Sequence, residues 1–304
     1  NFFFVKKITH KNKKSLSEKI MATLTVMING LSGAMGQEVA AACLRRGFNV
    51  ADVALSGSST GTVDIRPETG EPVAKTIRLL SSANETTFTE LQTYIATVEG
   101  TLIVVDYTHP SCVNQNGALY ARLKVPFVMG TTGGNREQLY TDIKKANIYA
   151  VIAANMCKQI VALQTVLETM SSEFPGAFSG YTLKVTESHQ SHKADTSGTA
   201  KEMVKYFNDL TSSSFAIADV NKLRDTPSQL AFGVPEDSLQ GHAFHTYELE
   251  APDQTVHFQF QHNVCGRRTY AEGTVDAVQY LFNQITLDRE EENNNKKKEE
   301  TTAP

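Results

Sequence analysis

The sequence predicts an α/β fold in two parts, a doubly wound parallel sheet followed by an α+β domain with a mixed sheet. With 304 residues, the chain is longer than a single hydrophobic core usually becomes. Short β-branched runs alternate with helical patterns in its first half, whereas later strands follow one another without intervening helices. We therefore expect one domain over 21–154, joined by a C-terminal helix at about 271–287, and a second over 155–270.

The elements of the first half follow in order, each marked by its own periodicity. Strands are predicted at 24–28, 50–55, 77–80, 102–105, 127–129 and 148–153. Helices are predicted at 34–46, 88–98 and 136–145, with one more opening at Pro110, a residue suited to the first helical position. This strict alternation is typical of a parallel sheet with helices on both faces.

The second half has a different pattern. Helices are predicted at 159–172 and 200–210, with a strand at 182–186 between them. Strands at 243–250 and 255–261 flank a four-residue turn and predict a hairpin. A last helix begins near Ala271. The polar low-complexity tail at 288–304 is expected to be disordered, and the lysine-rich residues 1–20 are expected to be an extension outside the core.

Composition excludes several functional classes. The net charge of −4 argues against a protein with a broad nucleic-acid-binding surface. No stretch of the sequence approaches the ~20 apolar residues that a membrane helix needs, which excludes an integral membrane protein. Four scattered cysteines without a CxxC pair indicate neither a disulfide framework nor a zinc site. No metal is predicted, since the spacing of the remaining histidines fits no ligand pattern; we expect structural or surface roles for His109, His242, His245, His257 and His262.

The strongest local motif is a glycine-rich turn between the first strand and the first helix. Gly30, Gly33 and Gly36 form a GxxGxxG variant of the Rossmann-type dinucleotide fingerprint. Glycines let the backbone approach a pyrophosphate, and the helix N-terminus favours its negative charge. The alternative interpretation is a tightly packed turn without a ligand.

The choice of cofactor is predicted from the turn after the second strand. Residues 56–60 carry no carboxylate that would repel a 2′-phosphate, which favours NADPH, and Arg45 or Arg46 could reach the turn. The residues at 130–134 and 153–156 follow two further strands. Ligands of open α/β sheets collect at such carboxyl ends, so the three segments outline one cofactor groove.

A dense polar segment, 187–200, carries the candidate chemistry. His189 and Lys193 are both able to move protons. The sequence Ser197-Gly198-Thr199 opens a helix, with Glu202 placed for a capping box, and a helix start beside a lysine suits a carboxylate ligand. The alternative is a solvated loop with an ordinary N-cap.

Taken in order, the motifs GLSGAMG, DYTHP, GTTG, AANM and ESHQSHKADTSGTA resemble the 4-hydroxy-tetrahydrodipicolinate reductase (dihydrodipicolinate reductase) family over about 24–286. The last of these motifs begins with ESHQ, and the segments GHAFH and QHNVCGR follow downstream. These three features are similar to the plant-type branch of the family. Bacterial members usually have a second histidine where this chain has Gln190. An amide still donates a hydrogen bond to a carboxylate.

The resemblance implies NAD(P)H-dependent reduction of 4-hydroxy-tetrahydrodipicolinate to tetrahydrodipicolinate with loss of water, in lysine biosynthesis through diaminopimelate. It implies catalytic roles for His189 and Lys193, and substrate binding by Gln190, Lys193, Gly198 and Thr199. The cofactor residues are then expected to be Gly30, Leu31, Ser32, Gly33, Ala34, Met35, Ser56, Gly57, Gly130, Thr131, Thr132, Ala153, Ala154, Asn155 and Met156.

Two rival functions remain open on the sequence. Another two-domain NAD(P)-dependent dehydrogenase shares the glycine turn but not HxxxK followed by SGT, and a non-catalytic NADPH sensor does not need both His189 and Lys193. The resemblance also implies a homo-oligomer, a dimer or tetramer. A cytoplasmic location is expected if Met21 is the start; the alternative is a plastid location, as expected for the plant-type branch.

Overall fold

A computed structural model describes residues 24–302 of the chain, with side chains described through residue 295. The chain divides into two compact units: one holds the residues up to Met156 together with those from Ala271 onward, and the other spans Cys157–Tyr270. The predicted extension at 1–20 lies outside the described residues. Among residues 24–302, no helix combines the length and apolar character needed to span a membrane.

The first unit alternates strands with helices. Its elements are β1 (Leu24–Asn29), α1 (Ala34–Arg45), β2 (Asn49–Val50), β3 (Val53–Ser56), β4 (Gly61–Ile65), β5 (Lys75–Ser81), α2 (Thr87–Thr97), β6 (Thr101–Asp106), α3 (Val113–Leu123), β7 (Phe127–Met129), α4 (Arg136–Ala146) and β8 (Ala150–Ile152). Five of the strands form a parallel sheet in the order β2-β1-β6-β7-β8. The predicted doubly wound sheet is thus confirmed.

The predicted second strand, 50–55, is in fact two strands in two different sheets. The chain bends at Asp52, so β2 stays on β1 while β3 pairs with β5. The β3 strand belongs to a three-stranded sheet of order β3-β5-β4, whose member β4 the sequence analysis missed. The Asn29 side chain fixes the split because its Oδ1 accepts the Leu55 N–H at 2.8 Å.

The final helix, α8 (Arg268–Thr302), contributes to the core of the first unit. Its buried apolar residues pack with β1 and α1: Ala271, Val275, Val278, Leu281, Phe282 and Ile285. Arg46, the C-cap residue of α1, reinforces this contact and donates to Asp276 at 2.6 Å. The helix runs through Thr302, so residues 288–302 are helical where the sequence analysis expected disorder.

The second unit holds a mixed four-stranded sheet with helices. Its elements are α5 (Lys158–Glu173), β9 (Thr182–His189), α6 (Gly198–Thr211), β10 (Asn221–Leu223), α7 (Thr226–Ala231), β11 (His242–Glu250) and β12 (His257–Cys265). The strand order is β10-β9-β11-β12, with β10 parallel to β9 and the other pairs antiparallel. This confirms the predicted α+β class and its hairpin.

Candidate active site

The glycine turn after β1 is held in place by close backbone approaches. Gly30 has φ +83°, and a Cβ there would collide with the carbonyl of Tyr107. A Cβ on Gly36 would lie 2.5 Å from the Gly30 carbonyl oxygen. These two glycines are therefore required by the fold itself, whatever ligand the turn binds.

Gly33 differs from its two neighbours. A Cβ at this position would meet only the Gly30 carbonyl oxygen at 3.4 Å, an ordinary contact. Gly33 is also the N-cap of α1, and no side chain caps this helix. The turn thus leaves an uncapped helix N-terminus with room for an anion, which fits the pyrophosphate of a dinucleotide.

Asp106, at the carboxyl end of β6, organises the loops beside this turn. Its side chain is fully buried and accepts hydrogen bonds from Thr108, Asn116, Tyr120 and Thr131, at 2.6–3.1 Å. Within residues 24–295, no lysine or arginine forms an ion pair with it. Neutral donors alone therefore hold this carboxylate, and they tie the loops after β6 and β7 together.

Several predicted cofactor residues have side chains that belong to the core. Leu31, Ser56, Thr131, Ala153 and Met156 are all buried. The Thr131 hydroxyl donates to Asp106 or to neighbouring carbonyls and is already engaged. These residues can offer a cofactor only their backbone. Gly130 is a packing position as well, since a Cβ there would collide with the Tyr107 ring.

The arginines expected beside the residue 56–60 turn have other partners. Arg45 pairs with Glu38 and Glu272, and Arg46 with Asp276. Arg78 on β5 instead lines a cavity of about 320 Å³ next to the turn. Hydroxyl and amide groups share that cavity: Thr60, Thr62, Ser81, Asn84 and Thr87. Its acidic member is Glu90, 3.0 Å from Arg78.

In the second unit, strand register brings together residues that are far apart in sequence. Glu187 on β9 lies directly opposite His245 on β11, and Leu223 on β10 is opposite Ser188. The next residue after Leu223 is Arg224, whose guanidinium donates to the Glu187 carboxylate. Sequence analysis missed Arg224 and assigned His245 a structural or surface role.

Glu187 is a buried carboxylate with charged and polar donors around it. The Ser197 N–H donates to its Oε2 at 3.0 Å, and His245 Nε2 lies 3.7 Å from the same oxygen. Burial raises the pKa of Glu187, but hydrogen bonds from His245, Ser197 and Arg224 outweigh it and lower the pKa to about 2. Glu187 is therefore ionised throughout the physiological range.

The His189 and His245 side chains face each other through their Nε2 atoms. The two Nε2 atoms are 3.2 Å apart, and the Ser197 Oγ lies 2.9 Å from His245 Nε2. Burial and the neighbouring His245 together lower the pKa of His189 to about 3. His189 is thus neutral near pH 7, so it binds or orients a ligand rather than donating a proton as an imidazolium.

The loop between β9 and α6 presents Lys193. Its Nζ lies 2.7 Å from the exposed Asp195 carboxylate, and its backbone N–H bonds to the Gln190 carbonyl at 3.0 Å. Arg224 holds this loop as well, donating from Nε to the Lys193 carbonyl at 2.7 Å. Lys193 and Glu187 are therefore fixed by one arginine.

The N-terminus of α6 begins at Ser197, whose Oγ accepts the Ala200 N–H at 3.0 Å. The predicted capping box is wrong, because Glu202 bonds to Lys205 instead, at 2.7 Å. In the described part of the chain, a Cβ on Gly198 would meet no heavy atom within 4 Å beyond its chain neighbours and the adjacent helix backbone. This open space suits a carboxylate approaching the helix N-terminus.

The sequence analysis expected no metal, yet the structure gathers three side chains of ligating type. Donor atoms of Glu187, His189 and His245 all lie within 4.8 Å of one another. Both Glu187 oxygens already accept protein donors, from Arg224 and from Ser197. The adjacent guanidinium opposes a second cation there, so we assign the cluster to hydrogen bonding.

Comparison with known proteins extends this description. The family model for the dihydrodipicolinate reductase N-terminus matches residues 24–156, and the model for its C-terminus matches 159–290. The chloroplastic 4-hydroxy-tetrahydrodipicolinate reductase 1 of Arabidopsis thaliana is 45% identical over 88% of this chain and 75% of its own length. An archaeal relative from Natronomonas pharaonis, a 4-hydroxy-tetrahydrodipicolinate reductase, is 25% identical over 85% of this chain and 94% of its own.

A solved structure shares the fold. The dipicolinate-bound dihydrodipicolinate reductase from Paenisporosarcina sp. TG-14 superposes with a TM-score of 0.57 at 20% identity, covering 86% of this chain and 94% of that one. The higher identity to the plant relative agrees with the plant-type features of the sequence. Two family models that together span most of the described residues confirm the resemblance: this chain belongs to the dihydrodipicolinate reductase family.

Proposed function

We propose that this chain catalyses the NAD(P)H-dependent reduction of 4-hydroxy-tetrahydrodipicolinate to tetrahydrodipicolinate with loss of water, in the diaminopimelate route to lysine. One observation carries the proposal: the ion pair of the buried Glu187 and the partly buried Arg224 holds three elements suited to a cyclic dicarboxylate, one of them through His245. These are the α6 N-terminus at Ser197, the neutral His189 and the Lys193 loop. Family membership supports the same reaction.

Each residue has a role that follows from its chemistry. Lys193 carries the proton to be transferred and attracts a substrate carboxylate. His189 is neutral and provides a hydrogen bond without adding charge. The N–H groups of Gly198 and Thr199 at the start of α6 receive a second carboxylate, and Gln190 donates from its amide. When bound in the first unit, the reduced nicotinamide supplies the hydride.

The cofactor half of the proposal depends on the first unit. The uncapped helix at Gly33 receives the pyrophosphate, while Leu31, Thr131, Ala153 and Met156 support the groove from within the core. We further propose that NADPH is used at least as well as NADH. Arg78 supplies the cation near the 2′-phosphate, because its side chain is 56% exposed even though it pairs with Glu90. Arg45 and Arg46 are less exposed, at 13% and 32%, and their ion pairs are with residues outside this cavity.

Turnover tests the function directly. Purified protein is given the ring substrate with NADPH or NADH, and loss of the reduced cofactor is followed by absorbance. We expect consumption with this substrate. A rival homoserine dehydrogenase would oxidise homoserine and form NADPH from NADP+, so homoserine is tested with the oxidised cofactor, and we expect no NADPH to form. Binding of NADPH without any turnover would support the sensor alternative instead.

The cofactor preference has its own test. Arg78→Ala should lower kcat/KM for NADPH and leave that for NADH nearly unchanged, because only NADPH carries the 2′-phosphate. Arg66→Ala is the matched control, since Arg66 is exposed and bonds to the Glu71 carbonyl at 2.7 Å. A strong preference of the wild-type protein for NADH would contradict this part of the proposal.

Location and assembly are proposed on the same family basis. We favour the plastid alternative over the cytoplasm because the plant relatives are named chloroplastic. A fluorescent fusion of the complete open reading frame tests it. The homo-oligomer also stays a prediction, to be measured by light scattering; the exposed Phe258 on the edge strand β12 is a candidate contact.

A further inference from the structure

Three parts of the second unit converge on one atom, the Nε2 of His245. It lies 3.2 Å from His189 Nε2, 2.9 Å from Ser197 Oγ and 3.7 Å from Glu187 Oε2. All four side chains are buried. The proposed catalytic histidine and the N-cap of the proposed carboxylate-binding helix thus share a single hydrogen-bonding partner.

From this convergence we infer that His245 is a positioning residue, which sets the orientation and tautomer of His189 and couples it to the N-terminus of α6. The inference rests on the proposed function, because it assigns His245 a role in binding and converting the same ring substrate. His245 is buried and bonds to His189 and Ser197, so in this role it acts through these two residues.

The tautomer follows from the neighbours of His245. The ionised Glu187 carboxylate favours a proton on His245 Nε2, the nitrogen that faces it. With that proton in place, His189 Nε2 is an acceptor, and the proton of the neutral His189 ring resides on Nδ1. His189 is thereby left with a donor nitrogen for a ligand.

The packing around His245 keeps its ring from turning. It stacks on His262, with centroids 4.7 Å apart and planes 29° apart, and lies parallel to the Tyr247 ring at 6.4 Å. Its position on β11, opposite Glu187 on β9, is fixed by strand register. A rigid backbone and a stacked ring together make His245 a suitable support for a reacting group.

The experiment compares two substitutions at this position. His245→Phe keeps an aromatic ring in the stack but removes Nε2, the atom that contacts His189 and Ser197. His245→Gln instead keeps an amide N–H close to the position of Nε2. We expect H245F to lower kcat about tenfold to hundredfold and to raise KM for the ring substrate, since a misplaced catalytic group has effects of this size. H245Q should recover at least half of the lost activity.

The matched control is His262→Phe, a neighbour on the other face of the same stack. His262 contacts His245 through its ring, and neither of its ring nitrogens has a hydrogen-bond partner in the described part of the chain. H262F should therefore keep the wild-type kcat and KM. A general sensitivity of this core to substitution would instead affect H262F and H245F alike.

A pH profile separates positioning from simple loss of packing. His189 faces His245 on β11, Glu187 on β9, Arg224 after β10 and Lys193 in the loop. Removing the imidazole of His245 removes one group that holds the pKa of His189 down. The acid limb of kcat/KM should therefore move to higher pH in H245F and stay at the wild-type position in H262F.

The inference is overturned if H245F stays within about twofold of wild type, or if H245Q is as slow as H245F. If H245F does not fold, H245Q and Ser197→Ala are measured singly and together. Coupled effects, with the double variant no worse than the poorer single variant, support the inference, and additive effects overturn it. Wild-type protein inactive on the ring substrate would refute the proposed function, and this inference with it.

Discussion

Asp106 and Glu187 are both fully buried carboxylates near the carboxyl end of a strand, yet they are held in different ways. Hydroxyl, amide and backbone donors surround Asp106. Glu187 has an arginine and a histidine beside it, in addition to a backbone N–H. The first unit therefore surrounds its buried carboxylate with a framework of neutral donors, and the second uses a charged framework that includes Arg224.

The difference corresponds to what each unit has to do. Binding of a dinucleotide depends on backbone groups held still, and Asp106 fixes the loops after β6 and β7 through hydrogen bonds from uncharged donors. Chemistry on a dianionic ring depends on controlled protonation. Burial and His245 lower the pKa of His189, and Arg224, the partner of Glu187, holds the Lys193 loop. We therefore expect substitutions in the two units to change different measured quantities.

The largest effect should come from Lys193→Ala. If Lys193 donates the proton, kcat should fall roughly 10²–10⁴-fold, the usual contribution of a general acid. KM for the ring substrate should rise as well, because a charge-assisted contact is lost. NADPH affinity, measured by fluorescence titration, should hardly change, since the glycine turn belongs to the other unit.

Lys205→Ala serves as the control for Lys193. Lys205 is an exposed lysine of the same unit and pairs with Glu202. It should turn over normally. Normal turnover by Lys193→Ala would show that the proposed mechanism is wrong even though the family is right. A further sign of a shared unit would be that His189→Ala combined with Lys193→Ala loses less than the sum of the single effects.

Gly33→Val is the converse test, aimed at the first unit. Because a Cβ at Gly33 meets only one ordinary contact, the chain should fold. The added side chain should occupy the space of the pyrophosphate and raise the Kd for NADPH by roughly a hundredfold, about 3 kcal/mol. Isothermal titration measures it, and an unchanged melting temperature verifies the fold.

Gly36→Ala provides the contrast. Its Cβ would lie 2.5 Å from the Gly30 carbonyl oxygen, so this variant should lose stability before affinity can be measured. Wild-type NADPH affinity in Gly33→Val would remove the glycine turn from the binding site.

Sequence reasoning recovered the features that are local in the chain. The glycine turn is contiguous with β1 and α1, and the segment from Glu187 to Ala200 carries His189 at the end of β9 and Lys193 in the loop that follows. Sequence reasoning did not identify Arg224 and His245 as site residues, because only the pairing of β10 and β11 with β9 brings them to Glu187. Similarly, β4 was missed because its alternation is mostly polar and its strand is largely exposed.

The two carboxylates can be compared directly by neutralising each in turn. Glu187→Gln leaves Arg224 partly buried without its counter-charge, and we expect it to cost about 3 kcal/mol of unfolding free energy. Asp106→Asn loses only hydrogen bonds from uncharged donors, several of which an amide oxygen can still accept, and should cost about 1–2 kcal/mol. Urea unfolding of each variant gives both numbers. Equal costs would contradict the distinction between a charged and a neutral framework.

The smallest effect concerns acid stability and His262. Burial and the neighbouring His245 lower the pKa of His262 to about 3, so the folded protein keeps it neutral where the unfolded chain, near pKa 6.5, takes up a proton. Above pH 6.5 the His262 ring therefore does not reduce the free energy of unfolding. As the pH falls from 6.5 towards 3, proton uptake by the unfolded chain lowers that free energy progressively. His262→Phe removes that loss, so its unfolding free energy relative to wild type should rise by about 1 kcal/mol between pH 7 and roughly pH 5.7. His257→Phe, at an exposed position on the same strand, should leave the pH dependence as it is. If His262→Phe and wild type lose stability in parallel on acidification, the unpaired imidazole does not contribute to the pH sensitivity expected of the second unit.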